Sequence, residues 1–212
     1  MINRPKDEEE LQKREVVGVF QASRFLREYA KSHRAISTET ICQIHAEIFK
    51  EVWPEIAGVY RNENLVITGS DHVPPHWSQV PGCMGEVEGR MREYATNLKG
   101  VEGLVLERKD LTKEHLSSIQ EVFNFAAYVH HAITFVHPFR EGNGRTARLA
   151  TNLILERYGF VGISIRIERE NKNRYCNALA QIDKHQDYEP LLDLIAEGVI
   201  DRYRGVPMKL MR

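Results

Sequence analysis

The chain has 212 residues, and its 29 Lys and Arg against 30 Asp and Glu give a formal net charge of -1. Its content of 42% hydrophobic and 28% charged residues is typical of a globular protein rather than a disordered or fibrous one, and the balanced charge argues against a dedicated nucleic-acid binder. Its opening residues are charged throughout, and no stretch approaches the roughly 20 apolar residues that cross a bilayer. We therefore expect no membrane partner, no direct nucleic-acid partner and a cytoplasmic location. Delivery into a host cell without a cleavable signal is the alternative location.

Two helices and an irregular segment are predicted for the first 80 residues. Apolar residues recur at helical intervals over about residues 8–31, and Ser37 precedes a second helix that should end near Pro54. Residues 55–80 then combine glycines, a Pro-Pro pair and a short β-like run over residues 65–68. This pattern predicts a short hairpin or loop.

Helical patterning continues through the rest of the chain. It predicts helices over about residues 80–98, 111–136, 144–158 and 171–204, the last of them broken near residues 187–190. The pattern is strongest over residues 111–136, so this helix should be central. We therefore expect an all-α, or mostly α, fold.

One segment, residues 137–148 (HPFREGNGRTAR), has the character of an active-site loop between two of these helices. Pro138 disfavours helical geometry at His137, so the imidazole should sit at a helix end and project into the junction. The ordinary pKa of histidine, about 6.5, leaves the ring mostly neutral at pH 7 and able to accept a proton. His137 is therefore a candidate general base.

The same segment is suited to bind phosphates. Gly142 and Gly144 allow unusual backbone angles and close ligand approach, and a helix that begins beside them would direct free N–H groups and its positive dipole end at an anion. Arg145 and Arg148 are three residues apart and share one helical face, where two guanidinium groups could clamp phosphate oxygens. Glu141 supplies a carboxylate suited to Mg²⁺ that bridges phosphates. Together these residues predict a nucleotide site.

The twelve residues match every specified position of the motif HxFx(D/E)GNGRxxR, and on this motif the chain resembles the Fic family of α-helical enzymes. The resemblance implies a protein adenylyltransferase (AMPylator) that transfers AMP from ATP to a Tyr, Ser or Thr hydroxyl of a target protein and releases pyrophosphate. ATP would be the co-substrate and Mg²⁺ the cofactor. The implied roles are deprotonation of the hydroxyl by His137, anchoring of the loop by Phe139, Mg²⁺ binding by Glu141, an anion-binding loop of Gly142, Asn143 and Gly144, and phosphate binding by Arg145 and Arg148.

The resemblance extends upstream, through AGVYR at residues 57–61 and LVIT at residues 65–68, to a short β-hairpin flap. In the family, this flap aligns an extended target segment by main-chain pairing, which is β-strand addition. The likeness spans about residues 38–192. It implies a single Fic-type domain over residues 1–212, with an N-terminal helical extension, a C-terminal helix and a target-docking flap formed by Leu65, Val66, Ile67 and Thr68.

The resemblance also raises the question of whether the activity of this protein is inhibited by a segment of its own chain or by a partner. Many Fic proteins are inhibited by a helix with the pattern (S/T)xxxE(G/N), whose glutamate pairs with the second arginine of the motif. The sequence contains no complete copy, but its ending occurs at Glu197-Gly198. Glu197 is therefore a candidate inhibitory partner of Arg148, and a separate small antitoxin is the alternative.

Three other functions stay open at this point. The first is a Fic-type phosphotransferase that moves the γ-phosphate of ATP, and the second is a de-AMPylase that removes AMP from a modified protein. The third belongs to another class: a non-catalytic protein-binding module that is gated by a nucleotide.

Overall fold

The computed structural model describes residues 7–101, 112–165 and 170–205. Within these ranges the protein consists of α-helices joined by loops, and the all-α prediction is confirmed. The stretch between the helices predicted over about residues 80–98 and 111–136 lies mostly outside the described residues. The helices are α1 (Glu8–Lys31), α2 (Thr38–Phe49), α3 (Val80–Asn97), α4 (Lys113–Val136), α5 (Asn143–Arg157), α6 (Glu170–His185) and α7 (Glu189–Tyr203), with single-turn 3₁₀ helices at Pro54–Ile56 and Trp77–Gln79.

Local capping determines where several helices begin. The Ser37 hydroxyl accepts a hydrogen bond from the Thr40 backbone N–H at 3.2 Å, and the Thr40 hydroxyl accepts one from the Ser37 N–H, which forms a capping box before α2. Thr112 caps α4 in the same way. The predicted break between the last two helices is confirmed, because Gln186 has a φ of 56° and Pro190 lies in the first turn of α7.

Helix α4 occupies the centre of the packing. It lies against α5, α3 and α7, while α1 crosses both α2 and α5. Phe125 and Ile133 of α4 and Leu153 of α5 are at most 1% exposed, and burial of such side chains stabilises the fold by about 1.5–3 kcal/mol each. The α4–α5 pair therefore presents its connecting loop, residues 137–142, from a firmly packed base. None of the described helices has the length and apolar character that a membrane span requires.

Of the short hairpin or loop predicted within residues 55–80, the structure has the loop, and the β-hairpin that the family resemblance implies at the flap is not formed over residues 65–75. This segment is an extended loop around a turn in which the Ser70 N–H donates to the Ile67 carbonyl at 3.2 Å, and no residue of it pairs in a strand ladder. Two physical reasons account for this. Pro74 and Pro75 have no N–H to donate to a ladder, and Val66, in the middle of the strand-like run, is 93% exposed, so no apolar surface covers that side chain.

Candidate active site

The end of α4 places His137 at the junction, as the sequence predicts. The chain leaves the helix through His137 itself, which adopts the left-handed conformation with φ 50° and ψ 57°. A residue with a side chain is strained there by about 1–2 kcal/mol, so its surroundings must hold it. The His137 N–H donates to the Ile133 carbonyl at 3.0 Å, and Pro138 prevents the helix from continuing.

Arg61 holds the junction from the opposite side. It is 4% exposed, and its Nε donates to the His137 carbonyl at 2.8 Å while its backbone N–H donates to the Pro138 carbonyl, also at 2.8 Å. The two other guanidinium nitrogens donate to the carbonyls of Glu63 at 2.9 Å and Pro75 at 2.6 Å. Arg61 thus connects both ends of the 65–75 loop to the residues around His137.

The hydrogen bonding of the His137 ring assigns its tautomer. Nδ1 lies 3.3 Å from the Thr134 carbonyl, and because a carbonyl only accepts, the proton must reside on Nδ1. Nε2 then carries the free lone pair. Burial lowers the pKa of His137, the Thr134 carbonyl raises it, and the charge of Arg61 lowers it further. The net decrease favours the neutral ring that a general base requires.

The loop after His137 is closed by Asn143 and anchored by Phe139. The Asn143 side-chain oxygen accepts the Phe139 N–H at 2.9 Å and its side-chain amide donates to the Phe139 carbonyl at 2.7 Å. Phe139 is fully buried and its ring stacks on His45 at 3.9 Å between centroids. The side chain of Asn143 is therefore committed to the loop, and the group it can offer a ligand is its backbone N–H.

His45 supports the same loop from α2. Its Nδ1 accepts the Gly58 N–H at 2.9 Å, and its Nε2 donates to the Glu141 carbonyl at 3.0 Å. A proton added to Nδ1 would face the Gly58 N–H, and burial lowers the pKa of His45 to about 4. The ring is therefore a neutral structural connection between α2 and the loop.

The N-terminus of α5 is open toward the cavity. Its N-cap, Gly142, has a φ of 75°, and no side chain caps the helix. The first helical hydrogen bond is that of the Thr146 N–H to the Gly142 carbonyl at 2.9 Å, so the N–H groups of Asn143, Gly144 and Arg145 have no acceptor within the helix. These donors and the helix dipole make the position suited to an anion.

Two arginines flank this terminus in different environments. Arg145 contacts Glu141 at 3.2 Å and Glu15 of α1 at 2.6 Å, and its guanidinium lies over the Phe49 ring at 5.1 Å from the centroid. Arg148 is 9% exposed, and its Nη1 lies 3.3 Å from the position that a β-carbon on Gly144 would occupy. Its guanidinium is thus folded back over the first turn of α5.

The residues assigned to catalysis, phosphate binding, metal binding and docking come together around one cavity of about 400 Å³. Arg140 joins them, with its guanidinium over the Trp53 ring and an ion pair to Glu63 at 2.7 Å. The lining is Leu65, Val66, Ile67, Thr68, His137, Arg140, Glu141, Gly142, Asn143, Gly144, Arg145 and Arg148. Glu197 is the exception among the predicted site residues: it is absent from this lining, and both of its carboxylate oxygens accept hydrogen bonds from Arg174 at 2.7 Å.

Glu141 fits the role of a single carboxylate ligand for a metal. Its Oε1 accepts the Gly142 N–H at 2.9 Å and contacts Arg145, which leaves Oε2 outside these two contacts on a side chain that is 56% exposed. Among the described residues, no three His, Cys, Asp or Glu side chains form a metal-binding group. A single exposed carboxylate such as that of Glu141 suits Mg²⁺, which takes one or two carboxylates and completes its shell with phosphate oxygens and water.

Sequence reasoning missed Arg61, His45 and Glu15. Each acts across a long stretch of chain on residues 137–145, so no local spacing points to it. The available signal for Arg61 was a charged residue at the end of the mostly apolar segment AGVYR. For His45 it was a histidine on the apolar face of α2. Glu15 lies in a charged helix and carries no distinguishing signal.

Comparison with known proteins gives one consistent result. A family model described as the Fic/DOC family matches residues 35–155. The protein adenylyltransferase Fic of Nematostella vectensis is 30% identical over 197 residues, which cover 91% of this chain and 40% of that protein. The protein of the same name from Drosophila persimilis is 28% identical over 192 residues, covering 89% and 33% respectively. The chain therefore spans two fifths or less of the length of these relatives.

Solved structures show the same fold. Fic-1 from C. elegans is 25% identical, superposes with a TM-score of 0.68, and is matched over 97% of this chain and 54% of that one. The BepC protein of Bartonella tribocorum, solved with bound AMPPNP, is 18% identical with a TM-score of 0.62, over 92% and 88% of the two chains.

Proposed function

Because this chain belongs to the Fic/DOC family, we propose that it is a protein adenylyltransferase, which transfers AMP from ATP to a Tyr, Ser or Thr hydroxyl of a target protein. The observation that carries the proposal is the single cavity in which His137, the open N-terminus of α5 and two arginines meet. Helices α1 and α7 pack on the family-matched region, which supports one Fic-type domain.

The α5 terminus and the arginines would hold the triphosphate. Free backbone N–H groups at the start of a 15-residue helix attract phosphate oxygens, and Arg145 and Arg148 can each donate two parallel hydrogen bonds. Arg145 is already balanced by Glu141 and Glu15, so phosphate oxygens would compete with these carboxylates. Arg148, folded over Gly144, lies beside the backbone donors.

Glu141 would hold Mg²⁺ at the mouth of this phosphate site. When bound, the ion neutralises charge on the phosphate oxygens as pyrophosphate departs. The exposed carboxylate and its place in the cavity lining support this assignment. The Gly142 N–H on Oε1 orients the carboxylate without consuming Oε2.

His137 would act as the general base. The target hydroxyl oxygen forms a bond to the α-phosphorus, the bond between that phosphorus and the bridging oxygen to the β-phosphate breaks, and pyrophosphate leaves. The hydroxyl proton passes to the free Nε2 of His137, since Nδ1 is occupied at Thr134. Base assistance of this kind contributes about 10²–10⁴-fold to the rate.

The 65–75 loop would dock the target. Residues 65–68 line the cavity in an extended conformation with Val66 93% exposed, so their backbone groups are accessible to an extended target segment. Pairing with such a segment supplies the strand partner that the loop lacks alone. This mode aligns a hydroxyl through the backbone and tolerates varied target side chains.

One experiment separates this reaction from its alternatives. The purified chain is incubated with Mg²⁺, cell lysate and ATP labelled at either the α- or the γ-phosphate, with the His137→Ala variant as control. We expect label on a protein band from α-labelled ATP only. A band from γ-labelled ATP only would identify a phosphotransferase. Release of label from a pre-modified protein would identify a de-AMPylase, and no labelled band at all would favour a nucleotide-gated binding module.

A further inference from the structure

The outer part of the 65–75 loop is attached to the helices through His72. Residues 69–71 and 73 are exposed, whereas the side chain of His72 is only 15% exposed. Its ring Nε2 lies 2.7 Å from the Phe135 carbonyl at the end of α4, and its Nδ1 lies 3.9 Å from Oδ2 of Asp183 on α6. The loop therefore contacts both helices through this one ring.

The contact with α4 is made next to the proposed base. The last carbonyls of a helix have no donor within the helix, and here two histidine rings supply donors. The Thr134 carbonyl accepts the ring proton of His137 at 3.3 Å. The next carbonyl, that of Phe135, accepts from His72 Nε2 at 2.7 Å, because a carbonyl has no proton to give. The hydrogen bond of His72 thus fixes the loop relative to the helical turn that holds His137.

Asp183 is oriented toward this ring by His131 of α4. A carboxylate only accepts, so His131 Nε2 carries a proton and donates to Asp183 Oδ1 at 2.7 Å. Burial lowers the pKa of His131 despite the opposing effect of Asp183, so the ring is neutral and its Nδ1 accepts from the Tyr188 hydroxyl at 3.4 Å. The negative charge of Asp183 is therefore not balanced by His131, and its second oxygen faces His72.

The position of the loop matters because docking by strand addition uses backbone groups. Val66 and Val73 are 93% and 80% exposed, so apolar packing at these side chains does not hold the loop. A loop that is ordered before the target arrives loses less conformational freedom on docking, and an error of about 1 Å in the placement of a reacting group can lower a rate about a hundredfold. Asp183 lies outside the residues matched by the family model.

We propose that His72, held between the Phe135 carbonyl and the Asp183 carboxylate, is a positioning residue for target docking. It fixes the 65–75 loop relative to His137, so that the hydroxyl of a docked target reaches the base. This role rests on the proposed function. Neither His72 nor Asp183 is among the described residues that line the nucleotide cavity, so the pair acts on the target and not on ATP.

A measurement without nucleotide or target tests whether His72 orders the loop. Backbone ¹⁵N relaxation gives order parameters for residues 66–73. We expect values near 0.85, roughly those of rigid backbone, in the wild type and below about 0.6 in His72→Ala. The matched control is His185→Ala, which removes an exposed histidine near the end of α6 and should leave the loop ordered. A flexible loop in the wild type, or equal order in the wild type and His72→Ala, would overturn the proposal.

A conservative variant distinguishes the hydrogen bond from the bulk of the ring. In His72→Gln, the side-chain amide nitrogen is as many bonds from the backbone as Nε2 and can donate to the Phe135 carbonyl. We expect this variant to restore most of the loop order that His72→Ala loses. A loop as flexible in His72→Gln as in His72→Ala would count against the hydrogen bond as the cause.

The effect on docking is measured with α-labelled ATP, Mg²⁺ and cell lysate, alongside ADP affinity by calorimetry. We expect His72→Ala to label protein about ten- to a hundredfold more slowly than the wild type, with nearly unchanged ADP affinity, and His72→Gln to recover much of the rate. A merely structural role would lower ADP affinity together with the rate. Labelling at the wild-type rate, or a parallel loss of ADP affinity, would contradict the positioning role.

A double-mutant cycle tests whether Asp183 acts through His72. Asp183→Ala should slow labelling in the same direction, and in the His72→Ala background it should have no further effect; losses that add would overturn the pairing. The loop measurement also separates this proposal from the proposed function. If His72→Ala disorders the loop but the wild type labels no protein, the proposed function has failed and the docking role fails with it. If the wild type labels protein and the loop is unaffected by His72→Ala, this proposal alone has failed.

Discussion

The substitution Gly142→Ala tests the geometry of the phosphate site most sharply. Gly142 has a φ of 75°, and a β-carbon built on it would lie 2.3 Å from Cε2 and 2.6 Å from Cζ of Phe49. Phe49 is 1% exposed, with His45 tilted against its ring at 4.7 Å and Arg145 over it. The ring therefore has no free space to move into.

Two costs add at this position, and a second glycine separates them. The left-handed backbone costs an alanine about 1–2 kcal/mol, partly offset by the reduced freedom of the unfolded chain, and the steric overlap costs a further 1–3 kcal/mol or so. Gly69 has nearly the same φ, 78°, and no atom lies within 4 Å of the position that a β-carbon on it would occupy. Gly69→Ala thus carries the backbone cost alone.

The assay is urea denaturation of the two variants and the wild type at pH 7. We expect Gly142→Ala to lower the free energy of unfolding by about 1–3 kcal/mol more than Gly69→Ala, and to weaken ADP binding because the α5 terminus must shift. Equal losses of stability in the two variants would refute the argument that Phe49 closes this position.

Three further predictions follow from the site. His137→Ala should lower the rate of AMP transfer by about 10²–10⁴-fold and leave ATP affinity nearly unchanged; transfer at the wild-type rate would defeat the assignment of the base. Arg148→Ala should weaken ATP binding measured by calorimetry by about tenfold or more, the scale of a lost charge-assisted hydrogen bond, and an unaltered affinity would argue against phosphate contact. The free energy of unfolding should decrease as the pH falls from 7 to 5. Burial lowers the pKa of His45 to about 4 and that of His130 to about 3 in the folded protein. Because the same histidines have their ordinary pKa in the unfolded chain, protons bind the unfolded chain preferentially in this pH range. Urea midpoints that stay constant from pH 7 to 5 would contradict this account of the two buried histidines.

The helices and the reactive loop could be predicted from the sequence because their signals are local. The capping residue Ser37, the proline after His137 and the glycines around Asn143 each act within a few residues, and the structure has the helix boundaries close to where these residues indicate. Hydrophobic periodicity likewise identified α4 as the central helix.

The errors and omissions concern contacts between distant parts of the chain. The 65–75 run has strand-like residues but no partner, so the hairpin is absent. Arg61 acts on a loop 76 residues away in sequence, and Tyr175 reaches His130 across 45 residues. Only the packing of α6 on α4 and of the extended loop on the junction brings these groups together.

Glu197 illustrates a related limit. A short sequence match suggested an inhibitory contact with Arg148, but the position of α7 relative to α6 places its carboxylate on Arg174, with a side chain that is 54% exposed. Among the described residues, Glu15 and Glu141 both form ion pairs with Arg145, one of the two arginines assigned to phosphate binding. The pairing of a charged side chain depends on helix placement, which spacing does not encode.

The central claim is that the cavity holds a nucleoside triphosphate with its phosphates at the N-terminus of α5 and its α-phosphate facing His137. A crystal structure of this chain with Mg²⁺ and a non-hydrolysable ATP analogue tests it most directly. The account predicts phosphate oxygens within hydrogen-bonding distance of the Gly144 N–H and the Arg148 guanidinium, with His137 Nε2 directed at the α-phosphate. A nucleotide bound elsewhere, or an imidazole directed away from the phosphates, would contradict it.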